Sequence, residues 1–335
     1  MSTDEVNPDT EIELLIYAPA YERLKARISD RVKALVMQAD GSVTRDGTVL
    51  EREQIKPAIA WANRDLYNQG PVRDFMVACL KSSALTWFQS SAAGFEHPVF
   101  AKLHSNGVTL TNSNASAVPI AEFVFAQVLT AFHPTVARRQ AQAEKRWETF
   151  SFKDVHNSRW LIYGLGHVGH ALALRARAFG AHVTGCRRTP TGAEPVDAMV
   201  AENSLSKAVH DADVVVLSAA LNTGNRHIVN QDFIQAMSED TILVNIGRGG
   251  LVDENALLAG LDEGRPSIAI LDVFAEEPLP SAHPFWHHPK VRITAHCAGY
   301  SEGSSVRGEQ IFLHNLERYL SGQALTMQVT EPETV

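Results

Sequence analysis

A chain of 335 residues with 45% hydrophobic and 20% charged content has the composition of a globular protein and is long enough for two domains. Its formal net charge of −8 argues against a nucleic-acid partner, which would need a basic face. The acidic opening MSTDEVNPDTEIE is no signal peptide and no apolar stretch approaches a membrane span, so no membrane partner is expected. Three cysteines, Cys79, Cys186 and Cys297, form no C-x-x-C, read as small buried thiols, and suit a cytoplasmic protein without a disulfide framework.

Strand-like runs recur at 14–18, 34–37, 58–62, 85–89 and 108–110, with helices expected over 20–29, 71–80 and 98–105. Between them GSVTRDGTVL (41–50) reads as an inserted hairpin around Asp-Gly. A long apolar helix over 115–132, capped by Asn114 or Ser116, and a polar one over 136–147 follow. Strands are then expected at 160–163, 182–185, 214–218, 242–246, 268–271 and 291–294. Helices over 231–237, 255–263 and 302–320 complete the pattern. This alternation implies an α/β protein with doubly wound parallel sheets.

RWLIYGLGHVGHALALRARAFGAHVTGCRRTP, from Arg159 to Pro190, is a nucleotide-binding βαβ unit. Gly164, Gly166 and Gly169 give G-x-G-x-x-G between a strand and a helix. They serve the tight turn, the approach of backbone to a pyrophosphate, and helix–strand packing in that order. The helix start at His167 and Val168 offers free N–H groups to phosphates, and Gly180 suits the C-cap. An acid about 20 residues past the first glycine would hold the ribose hydroxyls of NAD. Here Arg187, Arg188 and Thr189 stand there instead, and no acid follows until Glu194. Two guanidinium groups and a hydroxyl suit a 2′-phosphate, so NADP(H) is expected in preference to NAD(H), which stays open as the alternative coenzyme.

Three later segments carry candidate chemistry just past strand ends, which border the ligand crevice of an open α/β sheet. TILVNIGRGGL presents Arg248, a planar fork for a 2-oxo carboxylate. LDVFAEEPL presents Asp272, Glu276 and Glu277, and ITAHCAGYS presents His296. A histidine oriented by a carboxylate can give a proton to a carbonyl oxygen as hydride arrives. Each residue alone has an ordinary structural explanation, but three together after successive strands do not. No histidine pair shows metal-ligand spacing, so no metal is expected.

From Ala117 to Tyr300, GLGHVG, VNIGRGGLVDENALLAGL, AILDVFAEEPLP and ITAHCAGYS follow in order and at the spacing of one family. In these the chain resembles the D-isomer-specific 2-hydroxyacid dehydrogenases. The resemblance implies a Rossmann domain at 113–298 inserted into a flavodoxin-like substrate domain made of 1–112 and 299–335. It implies that Arg248 binds the substrate carboxylate, and that His296 is the acid in reduction and the base in oxidation. Glu277 would pair with His296 and favour its protonated form. Asp272 and the carbonyl of Ile246 would contact the nicotinamide, beside Ala219 and Ala220. Ala93 and Gly94, in SAAGFEH, would hold the carboxylate through backbone N–H groups, and residues 115–147 would form the contact of a homodimer.

The family usually has proline where Ala295 stands and a proline-containing turn at Ala219–Ala220, and the first domain is the most divergent part. These departures bear on the substrate, not the chemistry. The expected activity is NADPH-preferring reduction of small 2-oxo acids, glyoxylate and hydroxypyruvate first, to D-2-hydroxy acids. Two alternatives compete: a dinucleotide-sensing corepressor-like binding protein on the same scaffold, and a family dehydrogenase with another substrate. Phosphoglycerate would want cations that SSAAGF lacks, and formate would want glutamine in place of Glu277. With only a short stretch after the final helix, no added regulatory domain is expected.

Overall fold

The computed structural model describes residues 11–92, 94, 95 and 97–330. They fall into two compact units, one comprising the chain up to Ala115 and again from Glu302, the other Ser116–Ser301.

In the first unit β1 (Ile12–Tyr17) pairs in parallel with β2 (Val32–Met37). The expected hairpin is present as β3 (Val43–Arg45) and β4 (Thr48–Val49), added antiparallel to the free edge of β2. Parallel strands β5 (Ile59–Ala62), β6 (Trp87–Ser90) and β7 (Thr109–Thr111) extend the other side. The parallel order β2-β1-β5-β6-β7 is the flavodoxin-type 2-1-3-4-5. Helices α1 (Ala18–Leu24), α2 (Arg64–Gln69), α3 (Val72–Lys81) and α4 (Pro98–Ser105) connect the strands. The first is shorter than its sequence suggests: the N–H groups of Arg27 and Ile28 both turn back to Leu24 O, and the chain leaves the helix to enter β2. The C-terminal helix Glu302–Leu320 returns to this unit, where Phe312 stacks on Trp61 at 4.2 Å between ring centres.

The second unit begins with α5 (Ala117–Phe132) and α6 (Thr135–Ala143). Ser116 stands at the start of α5 but makes no side-chain cap, and α6 ends at Ala143, short of the expected 147. The seven strands are all parallel: β8 (Arg159–Tyr163), β9 (His182–Cys186), β10 (Ala198–Val200), β11 (Val214–Leu217), β12 (Ile242–Asn245), β13 (Ile268–Leu271) and β14 (Val291–Ile293). Their order, β10-β9-β8-β11-β12-β13-β14, reverses between β8 and β11, the switch point of a dinucleotide-binding sheet. Continuous apolar runs such as VVVL and ILVN follow from burial on both faces. Alternate residues face opposite cores: Trp160, Ile162, Val214 and Val216 pack with α5 and α7 (His167–Ala178), while Leu161, Tyr163, Val215 and Leu217 pack on the other side. There α8 (Leu205–His210), α9 (Gln231–Gln235) and α10 (Glu254–Glu263) cover the sheet. Among the described residues no single helix is long and apolar enough to cross a membrane.

Candidate active site

The glycine turn leaves β8 and enters α7 at the switch point. Gly164 has φ +97°, a left-handed conformation, and a Cβ there would lie 2.4 Å from Ala219 N at the end of β11. A Cβ on Gly169 would lie 2.1 Å from Gly164 O, so the third glycine lets helix meet turn. At Gly166, by contrast, a Cβ would meet nothing within 4 Å. Gly166 is also the N-cap of α7, with no side-chain cap and no acid in the first turn. The first N–H groups of the helix, at His167 and Val168, therefore have neither an intrahelical partner nor a competing anion. Open space above bare backbone and a positive helix end fit a pyrophosphate. Gly180, at φ +80°, closes α7 by donating to Arg177 O.

At the end of β9 Arg187 donates Nη1 to Leu165 O, within the glycine turn, at 3.2 Å. The same nitrogen lies 3.2 Å from Glu194 Oε1. The acid that looked too distant in sequence is thus folded back against the arginine. Arg188 and Thr189 are exposed beside it.

Arg248, Asp272 with Glu277, and His296 lie just past the carboxyl ends of the adjacent strands β12, β13 and β14. His296 Nδ1 is 2.8 Å from Glu277 Oε2, with the imidazole 53% and the carboxylate 35% exposed. An ionised carboxylate only accepts, so Nδ1 carries the proton. Nε2 is then the nitrogen that accepts a proton in the neutral ring and donates one in the imidazolium. Glu277 Oε1 accepts from Phe274 N at 3.0 Å, which fixes the carboxylate within its own loop.

His296 has φ +49°, a strained backbone for a residue with a side chain. Its turn is held by Asp272: His296 N donates to the Asp272 carbonyl at 2.8 Å, while the carboxylate accepts from Thr294 Oγ1 at 2.5 Å, Cys297 N at 2.9 Å and Ala298 N at 3.0 Å. Asp272 is 3% exposed. Its carboxylate is first a clamp on the histidine turn, a job that the motif alone does not reveal.

Arg248 follows Ile246 and Gly247; its Nη1 donates to Gly247 O at 2.8 Å and its carbonyl accepts from Asn245 Nδ2 at 3.0 Å. A Cβ on Gly249 would stand 1.8 Å from the Phe274 carbonyl carbon, so only glycine lets the arginine loop reach the Glu277 loop. Ala219 sits against both Gly164 and Gly247, and the Ala220 carbonyl accepts from Asn225 Nδ2. In the first unit Gly94 is half-buried in the loop after β6, whereas Ala93 lies outside the described residues. Among the described residues no group of three His, Cys, Asp or Glu is placed to hold a metal. Of the cysteines read as buried, Cys79 and Cys186 are; Cys297 is exposed, because its backbone is fixed by Asp272 while its side chain is left outside.

Two positioning residues escape a motif-level reading. Glu254, at the start of α10, accepts from Ala275 N at 2.9 Å and pins the Glu277 loop, with His283 Nε2 3.5 Å from its other oxygen. Glu194 is the second, and the spacing Thr191-x-x-Glu194 carried a partial signal, since in S/T-x-x-E the acid reaches back to the backbone N–H of the first residue, as Glu194 does to Thr191 N.

A nucleotide-receiving turn and a histidine–carboxylate pair at the strand ends of one parallel sheet define a dinucleotide-dependent oxidoreductase domain. Residues 125–298 match the family described as D-isomer specific 2-hydroxyacid dehydrogenase, NAD binding domain. The chain belongs to this family. It is 32% identical over 177 residues, 53% of this chain, to glyoxylate/hydroxypyruvate reductase A of Yersinia enterocolitica, and the match spans 56% of that protein. Among solved structures it resembles a D-isomer specific 2-hydroxyacid dehydrogenase family protein of Aeromonas salmonicida (TM-score 0.79, 24% identity, 96% of this chain and 99% of that one). It also resembles the NADPH-dependent glyoxylate/hydroxypyruvate reductase of Sinorhizobium meliloti in complex with NADP and sulfate (TM-score 0.73, 24% identity, 96% and 98%).

Proposed function

We propose that this protein is an NADPH-preferring reductase of small 2-oxo acids, forming D-2-hydroxy acids, with glyoxylate and hydroxypyruvate as first substrates to test. The observation that carries the reading is the 2.8 Å Glu277–His296 pair with Nε2 as the exchangeable nitrogen, at the same strand-end edge of the sheet as Arg248. The bound nicotinamide coenzyme supplies the hydride. His296 delivers the proton to the carbonyl oxygen from Nε2 and recovers it in the reverse direction. Glu277 keeps the ring oriented by accepting from Nδ1. Arg248 anchors the carboxylate and stabilises charge developing on the carbonyl oxygen. Ile246 O and the remaining lone pair of Asp272 are assigned to the nicotinamide carboxamide, with Ala219 and Ala220 as backbone along its path. Gly94 is assigned to the substrate carboxylate.

NADPH is favoured because Arg187, Arg188 and Thr189 stand where an acid would otherwise meet the ribose hydroxyls. The glyoxylate and hydroxypyruvate choice follows from the family resemblance, and the similarity to the glyoxylate/hydroxypyruvate reductase A of Yersinia enterocolitica supports it. Residues 115–147 are proposed as the contact of a homodimer. One assay decides most of this: a panel of 2-oxo acids with NADPH and NADH in parallel. Turnover of a small 2-oxo acid, faster with NADPH, is the expected result. Coenzyme binding with no turnover on any member would favour the dinucleotide-sensing reading.

A further inference from the structure

The loop between β9 and β10 closes on a single carboxylate. Glu194 Oε1 accepts from Thr191 N at 2.7 Å and Thr191 Oγ1 at 2.8 Å, and Oε2 accepts from Gly192 N at 2.9 Å. These donors hold the acid at a pKa of about 2, the Thr191 N–H contributing most. The side chain is 3% exposed. Arg187 meets it at 3.2 Å through Nη1, the same nitrogen that reaches Leu165 O in the glycine turn. Both bonds described for Arg187 thus use one nitrogen, and Nε and Nη2 remain as the edge for a second, bidentate anion.

We propose that Glu194 is a positioning residue for coenzyme selectivity, holding Arg187 across the glycine turn so that its Nε–Nη2 edge serves the 2′-phosphate of NADPH. The proposal rests on the coenzyme preference argued above. An unpaired arginine of this length samples many rotamers, and immobilising it weakens binding; an arginine already fixed at both partners of Nη1 avoids that loss. The opposing effect is repulsion between Glu194 and the incoming phosphate. It is reduced because three hydrogen-bond donors and Arg187 already surround the carboxylate, and because the carboxylate sits on the Nη1 side. Positioning therefore outweighs repulsion.

Direct binding tests this without turnover: fluorescence titration of NADPH and of NADH into the wild type, R187A, E194A, E194Q and the double variant R187A/E194A. E194A should weaken NADPH about tenfold and change NADH by less than about twofold, the size of one oriented charge contact. E194Q should fall between, because its amide oxygen can still accept from Thr191 but carries no charge to hold Arg187. The double variant should bind NADPH no more weakly than R187A, since Glu194 acts through that arginine. E194A that binds NADPH as tightly as the wild type, or tighter, overturns the proposal, as do additive losses in the double variant. Equal weakening of both coenzymes in E194A and E194Q would reduce Glu194 to a support of the loop and also overturns it. A wild type that does not distinguish the coenzymes removes the preference itself. A wild type that does, with R187A losing the distinction and E194A keeping it, removes only Glu194.

Discussion

At the scale of single residues the chemistry rests on which nitrogen of His296 is committed. Because Glu277 occupies Nδ1, replacing it by glutamine removes the carboxylate that commits that nitrogen as a donor but leaves a side chain of the same size. E277Q should therefore lose on the order of 10²-fold in kcat for 2-oxo acid reduction, with NADPH affinity retained, because the ring is no longer held with Nε2 as the exchangeable nitrogen. An unchanged kcat would take Glu277 out of the mechanism and make Glu276 the next acid to test. H296A should lose on the order of 10²- to 10⁴-fold in turnover. It should still bind NADPH with unchanged Kd, because the glycine turn and Arg187 make no contact with that ring. His296 and its acid partner could be picked out in the sequence because both follow strand-like runs. The left-handed backbone at His296 and its tether to Asp272 could not, since neither leaves a trace in local composition.

At the scale of elements, the strand-end loops are held by the helix beside them. Glu254 reaches Ala275 N from the first turn of α10, so E254A should loosen the Glu277 loop. A drop in kcat of about tenfold with NADPH affinity retained is expected, the size of one lost oriented hydrogen bond to a charged group. An unchanged kcat would show that Gly249 packing alone sets the loop. The proposed homodimer contact also changes in detail. Val124 and Val128 of α5 are fully buried in the unit's own core, and Ile120, Phe123 and Leu129 pack against it. The apolar surface left over is Val136 on α6, with Trp147 and Phe152 in the segment that follows. V136D combined with W147E should lower the mass seen by light scattering from dimer to monomer without altering the circular dichroism. A wild-type monomer at micromolar concentration would end the dimer proposal. The helix over 117–132 was readable from its apolar run, yet which side of it faces the protein's own core was not, because nearly every side of it is apolar.

At the scale of the molecule, the two units are built differently. The second is one continuous stretch, whereas the first needs two pieces of chain joined by the C-terminal helix. Phe312 on that helix stacks on Trp61 and, at 5.7 Å, on Trp87, and Asn315 binds Gln89 and Thr326. F312A should cost about 3–5 kcal/mol by urea unfolding of the first unit, the usual range for a buried phenylalanine; a loss below about 1 kcal/mol would mean the helix is dispensable to that core. The sequence by itself determined the alternation of strand and helix, the glycine turn, the arginine pair after β9 and the strand-end residues Arg248, Glu277 and His296. All of these are local patterns, in which neighbours in the chain are neighbours in space. Short elements with no readable period, such as α2 and β10, stayed hidden, and so did the early end of α6. Only the tertiary structure decided that Glu194 folds back on Arg187, that Asp272 clamps the histidine turn and that Gly249 admits the Phe274 peptide. Those arrangements depend on parallel strands bringing distant loops to one edge, and a chain read in one dimension carries no record of which loops will meet.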